Sequence, residues 1–449
     1  MMQRAYTCLE WSLLLAVAPF LLFPTFRVTA TLMALIVLAL FWLVSAFIRK
    51  PWAPTPFNAA LLLFALATGV GILVTAWPEI TLSKATGLVL GLGVFRAVAA
   101  LRGRRGWRWG VLVLAGLGLG IAAVGALSTQ FYVKIPVVAP LIARLPARLL
   151  TLPESPEGGV SANQLAGILA FYLPLALGFL WWALSQLLAG LGKAESHGKS
   201  RTMGSGASNL AWLFLAVFSV LLTGGLLVIT QSRSGWIGGI AGALTLLGLV
   251  AWRSGRRWLR VSILALLALV LFGGGLFVAS VPTEMLDRAW ADDVVTETEF
   301  TGKVSLSGRV EIWSRALYAI QDFPFTGCGL GTLRKVVPVL YPLFTISQNG
   351  DIAHAHNIFL QTAADVGLPG LIAYLALLGV AFAVAWHSKT QKGLPLLAAL
   401  IALHIYGLTD AVALGSKPGI VFWVSLGLLA LASAAEDSKG LDSFEGTHD

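Results

Sequence analysis

The chain has 449 residues, of which 57% are hydrophobic and 12% are charged, and its mean hydropathy is +0.83. Because a soluble domain carries about 25% charged residues, this composition excludes an ordinary soluble protein and indicates a polytopic membrane protein. The net charge of +10 is explained by Lys and Arg concentrated in alternate connections, which is a signal of membrane orientation. We therefore expect no nucleic-acid partner.

Apolar runs predict an all-α polytopic protein with about twelve transmembrane helices, since about 20 apolar residues cross the hydrocarbon layer. The first run is interpreted as an uncleaved helix because no clean cleavage site for a signal peptide follows it. The whole chain, 1–449, is predicted to be one integral membrane domain. The predicted spans cover residues 8–24, 28–48, 57–77, 81–100, 107–127, 162–188, 210–230, 235–252, 260–281, 368–386, 393–411 and 418–435.

The positive-inside rule predicts which connections face outward. With the N-terminus in the cytoplasm, 17 of the 31 Lys and Arg residues fall on the cytoplasmic side. Both termini are then cytoplasmic, and two long connections, 128–161 and 282–367, face outward. Long connections of mixed polarity often carry function, so the outer loop at 282–367, between helices 9 and 10, is expected to hold part of an active site.

An amphipathic helix is predicted inside this outer loop, in the stretch "SGRVEIWSRALYAIQDF". Val310, Trp313, Leu317 and Ile320 have the spacing of one helical face, and Ser307 is expected to be the N-cap. The simplest interpretation is a helix on the outer membrane surface, above a cavity.

The rest of the loop is predicted to contain a turn and a second short helix. "DFPFTGCGLGT" supplies a proline and three glycines, which favour a turn over a phosphate-binding loop because no strand precedes it. The short helix is expected to run from about His354 to Gly367, where "GLPG" ends it. Cys8 and Cys328 imply no disulfide framework.

Three polar sites fall on the predicted outer side: the turn Gln231–Ser234, Gly308–Arg309, and "HAHN" with His354 and His356. Arginine suits phosphate because its planar fork makes two parallel charge-assisted hydrogen bonds. A histidine beside it suits general-base chemistry on a hydroxyl. Together these residue types point to a lipid-linked diphosphate and an acceptor hydroxyl.

Each residue also has a plainer interpretation. Arg233 can extend from a helix end to lipid headgroups, and Arg309 can be solvated on the polar face of its helix. The two histidines can make local hydrogen bonds, or they can bind a metal together with Asp351, although no well-spaced third ligand stands out.

The motifs "ITQSRSGWIGG", "SGRVEIWSRAL", "FPFTGCGLGT" and "HAHNIFLQTAADVGLPGLIAYL", in this order, resemble the superfamily of O-antigen ligases and O-antigen polymerases. These are polytopic bacterial membrane glycosyltransferases, and the resemblance covers residues 225–390. It implies that Arg233 and Arg309 bind the diphosphate of an undecaprenyl-diphosphate-linked glycan and that His356 is the general base of an inverting transfer. Substrate-binding roles follow less directly for a further set of residues, namely Arg315, His354, Asn357 and Gln231.

The resemblance implies no cofactor and no metal, and the chain has no D-x-D motif, although acidic residues at 292–299 leave a cation open. It further implies a multi-pass protein of the bacterial inner membrane with its site facing the periplasm. A ligase that uses lipid A-core as acceptor is slightly favoured over a polysaccharide polymerase with similar chemistry, and another glycan acceptor or attachment to protein is also open. A flippase or transporter of lipid-linked glycans and a structural scaffold are the alternatives from other classes, and the lack of a sequence repeat weakens the flippase.

Overall fold

Nearly all of the part of the chain that can be described is helical. The computed structural model contains no strand within that part, only an isolated bridge between Thr129 and Val160. The structure describes residues 2–48, 54–129, 131, 133, 135, 138–145, 160–197, 203–255, 257–280, 306–344, 346, 351–388, 391–412 and 415–445. The acidic stretch at 292–299 lies outside these residues.

Each of the twelve predicted spans coincides with a helix. Among the described residues, one short helix lies in the first long connection and two further helices lie in the second. The helices are α1 (Met2–Leu22), α2 (Val28–Ile48), α3 (Asn58–Leu73), α4 (Pro78–Ala99), α5 (Gly103–Ser128), α6 (Ala139–Ala143), α7 (Ala162–His197), α8 (Met203–Thr230), α9 (Arg233–Arg253), α10 (Arg257–Ser280), α11 (Leu306–Asp322), α12 (Leu333–Leu340), α13 (Ile358–His387), α14 (Gly393–Tyr406) and α15 (Ile420–Glu445).

Eight helices among the described residues are long and apolar enough to cross a membrane, and three shorter apolar helices accompany them. The shorter ones include α3 and α14, with 16 and 14 residues. At 1.5 Å per residue, a helix of this length covers only about 20–25 Å. Length and composition together confirm the predicted class, an all-α polytopic membrane protein.

Helix packing brings the start of α9 close to α7 and α14. Gly238 of α9 lies so near α14 that a Cβ atom there would be 2.7 Å from the carbonyl oxygen of Ala402. Small residues permit such close approach between membrane helices. Near the C-terminal end of α4, Arg96 forms a buried ion pair with Glu10 of α1. This pair joins the two helices.

The predicted helix in the outer loop is present as α11, but its buried face differs from the predicted one. Val310 and Leu317 are exposed, whereas Ile312, Ala316 and Ala319 are buried, together with Ile320. Only part of the predicted apolar face is therefore buried, because the pattern followed the largest apolar side chains. The two alanines, together with Ile312 and Ile320, form the face of α11 that packs against α13, while Val310 and Leu317 point outward.

The boundaries of two predicted helices also need correction. The first, α11, begins at Leu306, so Ser307 lies inside its first turn and is not an N-cap. The helix predicted from His354 begins only at Ile358, where the side chain of Asn357 accepts from the backbone N–H of the two following residues. Gly367 interrupts it as predicted (φ 71°, ψ 178°), and α13 then continues to His387.

The glycine-rich stretch forms the predicted turn. Gly327, Gly329 and Gly331 all have positive φ, at 65°, 103° and 71°, which glycine adopts at no steric cost. The backbone N–H of Cys328 donates to the carbonyl of Ala364 (2.8 Å). The turn therefore lies directly against the first half of α13, next to the break at Gly367.

Candidate functional site

The two histidines of "HAHN" lie in a tight loop just before α13. Ala353 and His356 both have left-handed backbone conformations, with φ of 57° and 46°, which are uncommon for residues other than glycine and carry strain. The backbone N–H of His356 donates to Nδ1 of His354 (3.1 Å), and the ring centroids are 4.3 Å apart. Both imidazoles therefore face the same small region.

A carboxylate from a distant segment completes this group. Asp410 follows α14, and one of its oxygens, Oδ1, lies 3.4 Å from Nε2 of His354 and 3.7 Å from Nδ1 of His356. The chain before Asp410 is joined to the histidine loop, since the N–H of Ile358 donates to the carbonyl of Gly407 (2.8 Å). We call His354, His356 and Asp410 the His–Asp cluster.

The protonation of the cluster follows from its contacts. Burial, and to a smaller extent the neighbouring His356, lower the pKa of His354 to about 3 against the attraction of Asp410. His354 is therefore neutral at physiological pH. Its Nδ1 accepts the backbone N–H, so the proton is on Nε2, facing Asp410. Burial would raise the pKa of Asp410, but its contacts with the two histidines outweigh this and hold it below the usual value.

The ring nitrogens of His356 differ from the other buried polar atoms of the cluster in lacking hydrogen bonds within the described part of the chain. Both ring nitrogens are buried and have no hydrogen-bond partner among the described residues. Buried polar atoms are nearly always paired, so an orphan of this kind points to a functional role. Because Nδ1 is the nitrogen that lies 3.7 Å from the Asp410 carboxylate, a proton on Nδ1 would leave the lone pair on Nε2.

Arg309 lies on the face of α11 that approaches the cluster. Trp313, one turn further along, donates from its indole N–H to the carbonyl of His356 (3.3 Å). Arg309 also lowers the pKa of His354 by its positive charge. Its Nε is buried and unpaired among the described residues, a donor suited to an anionic ligand.

The turn that contains Arg233 borders the same region. Ser232 caps α9, accepting from the N–H of Gly235, and Arg233 is the exposed first residue of the helix. The neighbouring Ser234 accepts a hydrogen bond from the hydroxyl of Thr409 (2.8 Å), one residue before Asp410. The structure therefore brings the three sequence-predicted polar sites to one end of the helix bundle.

Three of the predicted substrate-binding residues have structural partners. Gln231 is buried and accepts from the backbone N–H of Ile135 (2.7 Å). Asn357 caps α13 and donates to the carbonyl of Leu408 (3.0 Å). Arg315 donates to the carbonyl of Pro342 (3.0 Å) and pairs with Glu311. The remaining member of that set, His354, belongs to the His–Asp cluster.

Asp351, the carboxylate suggested as a metal partner, is not part of the His–Asp cluster. Asp351 is exposed and paired with Arg334. Among the residues that the structure describes, the group that could hold a metal ion is the His–Asp cluster, whose ligand atoms all lie within 4.8 Å of one another.

Asp410 was missed in the sequence analysis although it carried a signal. The predicted span 393–411 ends with "GLTDA", so it contains a carboxylate. Ionisable residues inside apolar spans are usually functional. The distance from "HAHN" along the chain hid the pairing.

The fold and the cluster define a class, a polytopic membrane protein with a compact polar site at one end of its helix bundle. Comparisons with known proteins add a resemblance: residues 218–375 match the model of the O-antigen ligase family. An O-antigen ligase of Pseudomonas aeruginosa is 28% identical over 220 residues, which are 48% of this chain and 47% of that protein. The matched region thus spans about half the length of this relative. The resemblance to the O-antigen ligase superfamily is confirmed.

Proposed function

We propose that this protein transfers a glycan from undecaprenyl diphosphate to an acceptor hydroxyl at the periplasmic face of the bacterial inner membrane. The observation that supports this most directly is the juxtaposition of His356, Asp410 and Arg309. A candidate base, a carboxylate beside it and a buried unpaired guanidinium N–H meet at one end of a membrane helix bundle.

The reaction follows from the atoms available. Nε2 of His356 accepts the proton of the acceptor hydroxyl, and Asp410 stabilises the imidazolium that forms. The acceptor oxygen then attacks the anomeric carbon, the bond from that carbon to the phosphate oxygen breaks, and the configuration inverts. Because both ring nitrogens of His356 are buried, the residues that pack over the imidazole ring have to move before an acceptor hydroxyl reaches it.

The arginines act on the leaving group. The diphosphate gains negative charge as the glycosidic bond breaks, so cationic donors already in place lower the barrier electrostatically. Arg309 is the better positioned of the two, because it lies one turn before Trp313, whose indole N–H donates to the carbonyl of His356. Arg233, exposed at the start of α9, suits the distal phosphate of a donor whose lipid remains in the membrane.

The acceptor distinguishes two related activities. Lipid A-core is the favoured acceptor, and the names of the matching family and relative, both O-antigen ligases, support this choice. A polymerase would instead extend a second lipid-linked repeat. Supplying purified protein with a lipid-linked donor and either acceptor separates the two, and product on a second lipid-linked repeat alone would identify a polymerase.

Substitutions test the chemistry itself. His356→Ala and Arg309→Ala are expected to abolish transfer in a reconstituted assay while the protein stays folded. His387→Ala and Arg104→Ala are the matched controls, since both side chains are exposed outside the site. Full activity in both site variants would refute the assignment. A flippase would instead move the lipid-linked donor from one leaflet of the vesicle membrane to the other, even when no acceptor is present.

A further inference from the structure

A chain of buried hydrogen bonds joins the glycine turn to the peptide between the two histidines. The backbone N–H of Ala355 donates to Oε1 of Gln361 (2.7 Å), and Nε2 of Gln361 donates to Oδ1 of Asp365 (2.7 Å). The same carboxylate oxygen accepts from the N–H of Gly331 (2.8 Å). Gln361 and Asp365 are both buried, at 3% and 6% exposure.

The amide of Gln361 has only one workable orientation in this chain. Ala355 presents an N–H, which requires an acceptor, and Asp365 presents a carboxylate, which requires a donor. The carbonyl of Gln361 must therefore face Ala355 and its NH₂ must face Asp365. Through this orientation, Asp365 ensures that the group of Gln361 that faces the N–H of Ala355 is the carbonyl, an acceptor, and not the NH₂, a donor.

The loop needs such a restraint because its backbone is strained. Ala353 and His356, on either side of Ala355, both have left-handed φ values. A residue held in this region costs about 1–3 kcal/mol and persists only where its surroundings impose it. The bond from Ala355 to Gln361 is the buried contact that fixes the peptide between the two rings.

Asp365 is itself held by the glycine turn. A Cβ atom at Gly327 would lie 2.5 Å from the carbonyl carbon of Asp365, so the turn lies flush against α13. Two other titratable groups face this carboxylate. Lys84 of α4 interacts with it electrostatically, and the buried thiol of Cys328, whose pKa burial raises to about 12, stays protonated.

We propose that Gln361 and Asp365 are positioning residues that hold His356 in the orientation needed for base catalysis. This inference rests on the proposed function, in which His356 is the base. The two residues touch neither substrate nor the reacting atoms. They act by fixing the backbone of the loop that carries both imidazoles.

The test compares two substitutions of Gln361 in the reconstituted transfer assay. Gln361→Leu removes both hydrogen bonds and is expected to lower kcat on the order of 100-fold with little change in KM, as small misplacements of catalytic groups do. Gln361→Glu keeps the shape of the side chain, but the new carboxylate then lies against that of Asp365, and the two must share a proton. Its activity relative to wild type is expected to rise as the pH is lowered from about 8 to about 6.

A charge swap tests the hydrogen-bond logic directly. In the double variant Gln361→Glu with Asp365→Asn, the carboxylate accepts from Ala355 and from the new amide. The N–H of Gly331 then loses the oxygen that it shares with Gln361 in the wild type, so activity near pH 8 is expected to recover in part, above that of Gln361→Glu alone. Gln321→Leu, at an exposed position of α11, is the matched control. Purified protein that elutes as one peak and melts cooperatively verifies that each variant is folded.

Distinct outcomes separate this inference from the proposed function. An inactive His356→Ala together with a fully active Gln361→Leu overturns the positioning role alone. A Gln361→Glu profile parallel to wild type, without recovery in the double variant, also overturns it. Full activity in His356→Ala overturns the proposed function instead.

Discussion

Replacing Asp410 with asparagine tests whether its carboxylate stabilises the imidazolium that forms during transfer. Oδ1 of Asp410 lies 3.7 Å from Nδ1 of His356. At an effective dielectric of about 20, a unit charge pair at that distance is worth about 4 kcal/mol. The asparagine oxygen keeps part of this as a dipole, so Asp410→Asn should lower kcat about 10²- to 10³-fold, at 1.36 kcal/mol per decade.

The assay measures glycan transfer to lipid A-core by purified protein in vesicles, with kcat and KM determined separately. Since Asp410 acts on the histidine and not on the donor, KM should change little. Asp351→Asn is the matched control: it weakens an exposed ion pair with Arg334, and the new side chain still accepts from the N–H of Ala353 as Asp351 does. An Asp410→Asn variant that turned over at the wild-type rate would refute the reasoning.

Three further predictions concern stability and metal. His354 has a folded-state pKa of about 3, below its unfolded value of about 6.5. Below about pH 6.5 the unfolded chain therefore binds a proton that the folded chain does not, so up to about 2 kcal/mol of stability should be lost by about pH 5. Melting curves of His354→Asn should lack this loss. Gly327→Ala combines a positive φ with a backbone clash and should lower the free energy of unfolding by about 2–4 kcal/mol in a denaturation series. Its control in the same series is Gly69→Ala, which has open space around it and should be neutral or stabilising by up to about 1 kcal/mol. EDTA should leave the transfer rate unchanged, whereas added Zn²⁺ should inhibit because it would take the lone pair of His356; a rate that falls with EDTA and returns with metal would contradict this.

Hydropathy by itself was sufficient to predict the all-α class and the position of every long helix. A membrane span must satisfy its own backbone hydrogen bonds, so a sufficiently long apolar run leaves the chain no other regular structure. Gly367 was likewise predictable as an interruption, because "GLPG" disfavours a continuous helix. The motifs were equally informative about the family, since their residues occur in one order within 218–375.

Only the tertiary structure decided which side chains meet. The buried face of α11 was only partly predicted because small alanines, which carry little hydrophobic signal, form part of the face that packs against α13. The pairing of the histidine loop with Asp410 arises because α13 and α14 pack side by side, which brings the chain after α14 to the start of α13. No local pattern encodes such a contact, because the separation along the chain carries no information about separation in space.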